Sequence, residues 1–120
     1  MAAHNETGKQ GENIAVKYLQ NKGYRILEQN WYNRHQEIDI IATKGNELVI
    51  VEVKCRRGHP LAEPYAAVNR NKQNLLIKAA NAYILWKNID METRFDIVSI
   101  ILGDELTIDH IENAFYPRVR

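Results

Sequence analysis

The chain has 120 residues, and 16 Lys or Arg against 15 Asp or Glu give a formal net charge of +1. An apolar fraction of 45% and a charged fraction of 26% are ordinary globular values, which exclude a disordered chain, a collagen-like repeat and a fibrous coil. The single cysteine excludes an internal disulfide and a multi-cysteine zinc site. We therefore expect a single domain over residues 1–120, with a core of about residues 7–115.

The hydropathy pattern gives no sign of a membrane or secretory protein. The N-terminal residues lack the apolar segment of a secretory signal. No apolar run approaches the roughly 20 residues that cross a bilayer. We expect a cytoplasmic protein that has no membrane partner.

The first elements in chain order are a helix and a weak strand. Thr7 followed by Gln10 is a capping-box pattern, and an apolar stripe at helical spacing follows it. Gly23 is typical of a helix end. These signals predict a helix over residues 7–22 and a weak strand over 24–31.

Residues 37–43 and 47–54 are rich in Ile and Val, as strands are. Gly45-Asn46 between them favours a tight type II′ turn. The sequence therefore predicts a β-hairpin.

The second half of the chain completes a mixed α/β pattern. A proline-containing loop over 59–64 is followed by a predicted helix over 65–87, and strands are predicted over 94–102 and 105–111. Candidate core residues of the helix are Val68, Leu75, Leu76, Ala79, Ala80, Tyr83 and Trp86. The order α-β-β-β-α-β-β predicts a mixed sheet with helices packed on it.

The near-neutral net charge conceals two segments of opposite sign. Residues 54–78 hold six basic residues and one acid, a net charge of +5, whereas residues 88–114 hold one basic residue and seven acids, a net charge of −6. A basic cluster can mark a polyanion site. The alternative is a solvated surface on which opposite charges meet, and charge alone favours that alternative.

Charged residues interrupt both strands of the predicted hairpin. A two-residue turn places Asp39 opposite Glu52 and Glu37 opposite Lys54, and side-chain alternation puts all four on one face. Opposed carboxylates at about 5 Å repel by roughly 3 kcal/mol at an effective dielectric of about 20. The alternatives are a structural network of cross-strand ion pairs and a site that needs a cation.

A divalent cation between Asp39 and Glu52 would remove this repulsion. Mg²⁺ (or Mn²⁺) prefers carboxylates, waters and substrate phosphates as ligands, and it can activate a water. Lys54 could orient that water or stabilise developing charge. Glu12 borders the apolar stripe of the first helix and is either a third acid of this site or an ordinary surface glutamate.

These residues resemble a known nuclease arrangement. An acid on the first helix, then Asp39 and Glu52-Val53-Lys54, resembles the PD-(D/E)xK pattern. More closely, the chain resembles the bacterial YraN-type family of predicted endonucleases over about residues 11–115. The matching stretches are Gly11-Glu12 with Ala15, Asn30, Glu37 to Ile41, Val51 to Lys54 with Arg56-Arg57, Ala67-Val68 with Lys72, and Arg94 to Val98.

The resemblance implies a restriction-endonuclease-like fold similar to that of archaeal Holliday-junction resolvases. It implies that Asp39 and Glu52 carry the metal, that Lys54 assists the water, and that Glu12 is a further ligand. Gln36 departs from the family, which usually has Gly there, and Ile38 replaces the Pro of the broader nuclease motif. A homodimer is expected from the resolvase-like relatives, which are dimers.

The leading hypothesis is a Mg²⁺-dependent (or Mn²⁺-dependent) endonuclease acting on DNA, with branched or structured DNA as a candidate substrate. Asp39, Glu52 and Lys54 would be catalytic, and Glu37 would support them. Basic residues beyond the hairpin would contact phosphates, namely Arg56, Arg57, Arg70 and Lys72. The alternatives are a catalytically inactive nucleic-acid-binding or scaffold protein with the same fold, and a protein-interaction module that uses the acidic segment.

Three further residue types have competing roles. Cys55 is expected on the apolar face of its strand, where it would pack rather than react. Asp96 is expected to pair with Arg94 or a neighbouring strand. Several aromatic residues could stack on bases, namely Trp31, Tyr32, Tyr65 and Trp86, although Trp86 is expected in the core.

Overall fold

The computed structural model describes residues 5–34, 36–58 and 68–117. Its elements are α1 (Asn5–Asn21), β1 (Arg25–Asn33), β2 (Gln36–Lys44), β3 (Glu47–Arg57), α2 (Arg70–Lys87), β4 (Glu92–Leu102) and β5 (Leu106–Phe115). The predicted order α-β-β-β-α-β-β is confirmed, and so is the mixed α/β class.

One five-stranded sheet runs in the order β1-β2-β3-β4-β5. The pairs β1–β2, β2–β3 and β4–β5 are antiparallel, whereas β3 and β4 are parallel. A parallel pair needs a crossover, and α2 provides it. The connection between β3 and α2 includes residues 59–67, so the predicted loop over 59–64 lies outside the described residues.

The two helices cover opposite faces of the sheet, because alternate residues of the central strands belong to different apolar clusters. The α1 cluster contains Ala15, Leu19, Tyr24, Ile40, Ala42, Val49, Val51, Val98 and Ile100. The α2 cluster contains Leu48, Ile50, Leu76, Ala79, Ala80, Tyr83, Phe95 and Ile97, among others. Both faces of β3 are therefore buried, as its almost continuous apolar run requires.

The predicted hairpin turn is confirmed. Gly45 has a φ of +59°, and Asn46 is not among the residues with positive φ, which fits the type II′ turn. The ladder pairs Lys44 with Glu47 and continues in the predicted register. The turn chemistry therefore sets which residues of β2 and β3 meet.

Helix α2 begins later than predicted. Residues 65–67 lie outside the described part, whereas Val68 and Asn69 precede the helix, which begins at Arg70. Asn69 is the N-cap, and its side-chain oxygen accepts a 2.8 Å hydrogen bond from the Lys72 backbone N–H. An N-cap residue has extended backbone, so its side chain sets the helix start.

The predicted core of α2 is largely confirmed, with one error at its end. Val68, Leu76, Ala79, Ala80 and Tyr83 are buried, and Leu75 is half-buried. The prediction that Trp86 lies in the core is wrong. Its side chain is 63% exposed, because it lies in the last turn, where it stacks on Trp31 at a ring-centroid distance of 6.1 Å.

Candidate functional site

The β2–β3 ladder ends at the charged residues. Within the described residues, its pairs run from Lys44–Glu47 to Ile40–Val51. The next pair in this register would be Asp39–Glu52, but Asp39 Oδ2 instead accepts a 2.8 Å hydrogen bond from the Val53 N–H. The expectation of directly opposed Asp39 and Glu52 is therefore corrected: a side-chain bond replaces the next rung. We call Glu12, Asp39 and Glu52 the carboxylate site.

The Asp39 carboxyl carries an electrostatic penalty. Its pKa is raised well above the usual value by burial first and by the Glu52 carboxylate second. The Val53 hydrogen bond opposes this shift, whereas Glu12 and Glu37 add to it. Glu52, Glu12 and Glu37 therefore all disfavour the ionised form of the Asp39 carboxyl.

Glu52 is buried, and two lysine side chains form ion pairs with it. It is 5% exposed, and its Oε2 lies 3.8 Å from Lys54 Nζ and 3.4 Å from Lys72 Nζ. Lys54 is two residues along the same strand, as predicted. Lys72 comes from the first turns of α2, where it was expected only to contact phosphates, and no spacing in the sequence indicated that it would meet Glu52.

Glu12 reaches this region because α1 lies against β3. A Cβ at Gly11 would stand 2.4 Å from Cys55 Cβ and 2.7 Å from its Sγ, so only glycine permits this approach. Burial raises the pKa of the Cys55 thiol, which packs against the α1 cluster. The expected packing role of Cys55 is therefore confirmed.

Asn30 holds the Glu12 side chain. Asn30 Nδ2 donates a 2.9 Å hydrogen bond to Glu12 Oε1. The φ of Asn30 is +51°, in the left-handed region that asparagine tolerates better than most residues. The sequence indicated Asn30 only through the family resemblance. Its contact joins a strand to a helix residue 18 positions earlier, and such a contact has no local sequence pattern.

The donor set suits a hard cation. Carboxylate oxygens are the protein ligands that Mg²⁺ and Mn²⁺ favour, and a cation would relieve the charge that raises the Asp39 pKa. Among residues 5–34, 36–58 and 68–117, no three His, Cys, Asp or Glu side chains are already gathered closely enough to hold an ion. Ligation would therefore require these carboxylates to move closer together.

The predicted phosphate contacts do not form one cluster. Arg70 is exposed at the start of α2, and Arg56 is half-buried on β3. Arg57 is exposed, and its Nη2 donates a 3.3 Å hydrogen bond to Gln10 Oε1 of α1. Because side chains alternate along β3, Arg56 shares the face of Lys54, whereas Arg57 lies on the α1 side.

A second polar cluster surrounds Asp96, which we call the Asp96 network (Arg94, Asp96, His110 and Asn113). Arg94 Nη2 lies 2.9 Å from Asp96 Oδ2, His110 Nε2 is 2.8 Å from the same oxygen, and the Asn113 N–H donates to Oδ1 at 3.0 Å. Burial alone would raise the pKa of Asp96, but these hydrogen bonds outweigh burial and lower it. The predicted Arg94–Asp96 pairing is confirmed, which removes Asp96 from any acidic surface.

Two of the four aromatic candidates, Trp31 and Trp86, stack on each other. Tyr32 is exposed on β1, and Trp31 contacts Tyr83 and Trp86 above the α2 cluster. Tyr65 lies outside the described residues.

Comparison with known proteins gives the family. The sequence model of the uncharacterised protein family UPF0102 matches residues 11–100. A UPF0102 protein of Bacteroides thetaiotaomicron is 50% identical over 118 residues, which cover 98% of each chain. A UPF0102 protein of Flavobacterium psychrophilum is 49% identical over 117 residues, covering 97% of this chain and 98% of the relative. The chain therefore belongs to the family UPF0102.

The helices also bear on the membrane prediction. Neither α1 nor α2, the helices of the described residues, is long and apolar enough to cross a bilayer.

Proposed function

We propose that this protein is a metal-dependent endonuclease that hydrolyses DNA phosphodiester bonds at the carboxylate site. The observation that carries the proposal is the half-buried Asp39 carboxyl at the end of the β2–β3 ladder, whose ionisation is opposed by Glu52 and Glu12. An acid with strongly perturbed ionisation and several carboxylate neighbours is typical of functional sites. The resemblance to the YraN-type family and to restriction-endonuclease-like folds supports the same assignment.

Glu12, Asp39 and Glu52 would hold Mg²⁺ or Mn²⁺. When bound, the ion would neutralise charge on the phosphodiester and lower the pKa of a water molecule. The Val53 N–H fixes one oxygen of Asp39, and Asn30 fixes one oxygen of Glu12. Two ligands are thus oriented by neighbouring groups, which reduces the reorganisation needed on binding.

Lys54 and Lys72 would supply positive charge to the phosphate. Both ammonium groups lie within 4 Å of Glu52 Oε2, one from β3 and one from α2. An ammonium group placed where negative charge develops stabilises the transition state. Lys54 would also orient the attacking water, and the exposed Glu37 would support Asp39 through its charge.

Arg56, Arg57 and Arg70, with Lys72, would contact backbone phosphates of the DNA. Each phosphate neutralised makes binding more sensitive to salt, so affinity should fall steeply as salt rises. Arg56 and Arg70 are placed for a strand on the α2 side, whereas Arg57 would serve a strand near α1. The proposal includes a cytoplasmic location, as the sequence led us to expect, and a homodimer, as the resemblance to resolvases implies.

Nuclease assays test the proposal directly. Branched, flapped and single-stranded DNA are incubated with Mg²⁺ or Mn²⁺ and wild type, Asp39→Asn, Glu52→Gln or the control Asp104→Asn, whose residue is exposed in the β4–β5 turn. We expect the control to cleave normally and each site variant to lose on the order of 100-fold or more in rate. Equal inactivity of wild type and Glu52→Gln on every substrate contradicts the proposal.

A catalytically inactive nucleic-acid-binding or scaffold protein is the second candidate. The observation that favours it is that Glu52 already has two lysine partners. This candidate predicts salt-sensitive DNA binding that survives both Asp39→Ala and Glu52→Ala without cleavage by wild type. Binding and cleavage assays on the same preparations therefore separate the two functions.

A further inference from the structure

A cavity of about 210 Å³ opens between the β1–β2 connection and α2. Its lining residues are Asn33, Arg34, Gln36, Leu75, Lys78 and Ala79. None of them belongs to the carboxylate site, and the proposed reaction does not use them. The cavity is therefore separate from the carboxylate site.

The lining combines three kinds of group. Leu75 and Ala79 form the apolar floor of the cavity, and Ala79 is a buried residue of the core. Arg34 and Lys78 are exposed at the rim, and neither has an ion-pair partner among the described residues. An apolar floor below unpaired cations suits a ligand with a flat apolar body and a negative charge.

Two side-chain amides supply the remaining polarity. Asn33 and Gln36 lie at the ends of β1 and β2, where they pair across the connection. Gln36 Nε2 donates a 2.7 Å hydrogen bond to the Glu37 carbonyl, which orients the amide. Amides of this kind recognise the donor and acceptor edges of nucleobases.

Two elements lead from the cavity to the carboxylate site. Gln36 is three residues from Asp39 on β2, about 10 Å along a strand. Lys78 is six residues from Lys72 on α2, about 9 Å along a helix. The cavity and the carboxylate site are therefore separated by about 10 Å of backbone along both elements.

We propose that the cavity binds one unpaired nucleotide of a single-stranded segment. The base packs on Leu75 and Ala79, the amides contact its edge, and Arg34 and Lys78 bind the phosphate. A base inside a duplex cannot enter, because its faces are stacked and its edge is paired. The inference rests on the proposed DNA substrate and narrows it to DNA with a single-stranded segment beside the cleaved bond.

Binding without metal tests the cavity independently of catalysis. Fluorescence anisotropy in EDTA compares three labelled duplexes: one blunt, one with a short single-stranded overhang, and one with the same overhang made abasic. We expect the intact overhang to bind about tenfold more tightly than the blunt end, a typical gain for one stacked base. The abasic overhang should lose most of this preference.

Charge reversal at the rim supplies the matched variants. Arg34→Glu/Lys78→Glu should remove the overhang preference and lower the salt slope of binding by about one per cation lost. The control Lys17→Glu/Arg25→Glu changes two exposed cations outside the cavity and should keep the preference. Gln36→Ala, with the rim charges intact, should weaken overhang binding without changing blunt-end binding.

Three results overturn the inference: equal binding of blunt and overhang duplexes, full preference for the abasic overhang, or an intact preference in the rim variant. Cleavage with Mg²⁺ is measured separately on the same DNAs. Overhang preference without cleavage supports the cavity and contradicts the endonuclease. Cleavage without overhang preference overturns the cavity and leaves the endonuclease standing.

Discussion

Asp39 and Asp96 both lie on inner strands of the sheet, yet the groups around them shift their pKa values in opposite directions. Asp96 is 1% exposed and accepts hydrogen bonds from Arg94 and the Asn113 N–H, with His110 on the same carboxylate. Asp39 accepts one bond from the Val53 N–H and faces other carboxylates. The pKa of Asp96 is lowered, whereas the pKa of Asp39 is raised.

Burial penalises both charges, so the partners decide the outcome. The Asp96 network compensates its carboxylate with a guanidinium, an imidazole and a backbone N–H, as a structural site does. In the carboxylate site, the Val53 N–H is the one hydrogen-bond donor among the described residues that stabilises the Asp39 charge, and three carboxylates oppose that charge. An amide or apolar residue at this position would avoid the electrostatic cost. This contrast is the physical reason for assigning function to Asp39 and structure to Asp96.

The largest expected effect is in the Asp96 network. Arg94→Met removes the guanidinium and leaves Asp96 buried without it, so the free energy of unfolding should fall by about 3–5 kcal/mol. Urea denaturation measures the loss, with the exposed Lys17→Met as control. A change below about 1 kcal/mol would show that His110 and Asn113 suffice.

Gly11→Ala should have the next largest effect. The new Cβ would lie 2.4 Å from Cys55 Cβ, so α1 must shift, and overpacking of this kind costs about 1–3 kcal/mol. Thermal denaturation measures the loss, and Asn13→Ala on the exposed side of α1 is the control. Gly11→Ala/Cys55→Gly removes the contacting side chain and should recover part of the stability; no recovery would place the strain elsewhere.

Asp39→Asn should stabilise the protein, in contrast to the two substitutions above. In metal-free buffer at pH 7 we expect the free energy of unfolding to rise by roughly 0.5–2 kcal/mol. The amide loses the repulsion from Glu52 while its oxygen still accepts from the Val53 N–H. Asp39→Ala, which leaves that N–H without its acceptor, is the comparison and should be less stable than Asp39→Asn.

The pH dependence follows from the raised pKa of Asp39. Because the folded protein binds this proton more tightly than the unfolded chain, wild type gains stability from Asp39 as pH falls through the folded pKa. The advantage of Asp39→Asn should therefore shrink on acidification. Asp96, whose pKa is lowered, loses its contribution as pH falls through its folded pKa. A pH-independent advantage would contradict the assigned cause.

The smallest effect is expected at Asn30. Asn30→Gly keeps the positive φ and removes the hydrogen bond to Glu12, so stability should change by less than about 1 kcal/mol. Metal affinity should fall by about tenfold, as for other groups that orient a ligand. Titration with Mn²⁺ measures it, and unchanged affinity would remove Glu12 from the ligand set.

The sequence predicted those features that depend on local pattern. Alternation and the Gly45-Asn46 turn fixed the hairpin register, and the order of elements followed from periodicity. The late start of α2 was missed because the Asn69 cap was not recognised. The Lys72–Glu52 and Asn30–Glu12 contacts could not be predicted, since they join separate elements that only the packed fold brings together.

Calorimetric titration of Mn²⁺ into wild type, Asp39→Asn and Asp104→Asn is the most direct test of the proposed metal site. We predict that wild type and Asp104→Asn bind Mn²⁺ and that Asp39→Asn loses binding, because the amide cannot replace the carboxylate as a ligand for a hard cation. Absence of binding by wild type, or equal binding by Asp39→Asn, would contradict the claim that the carboxylate site is built for a cation.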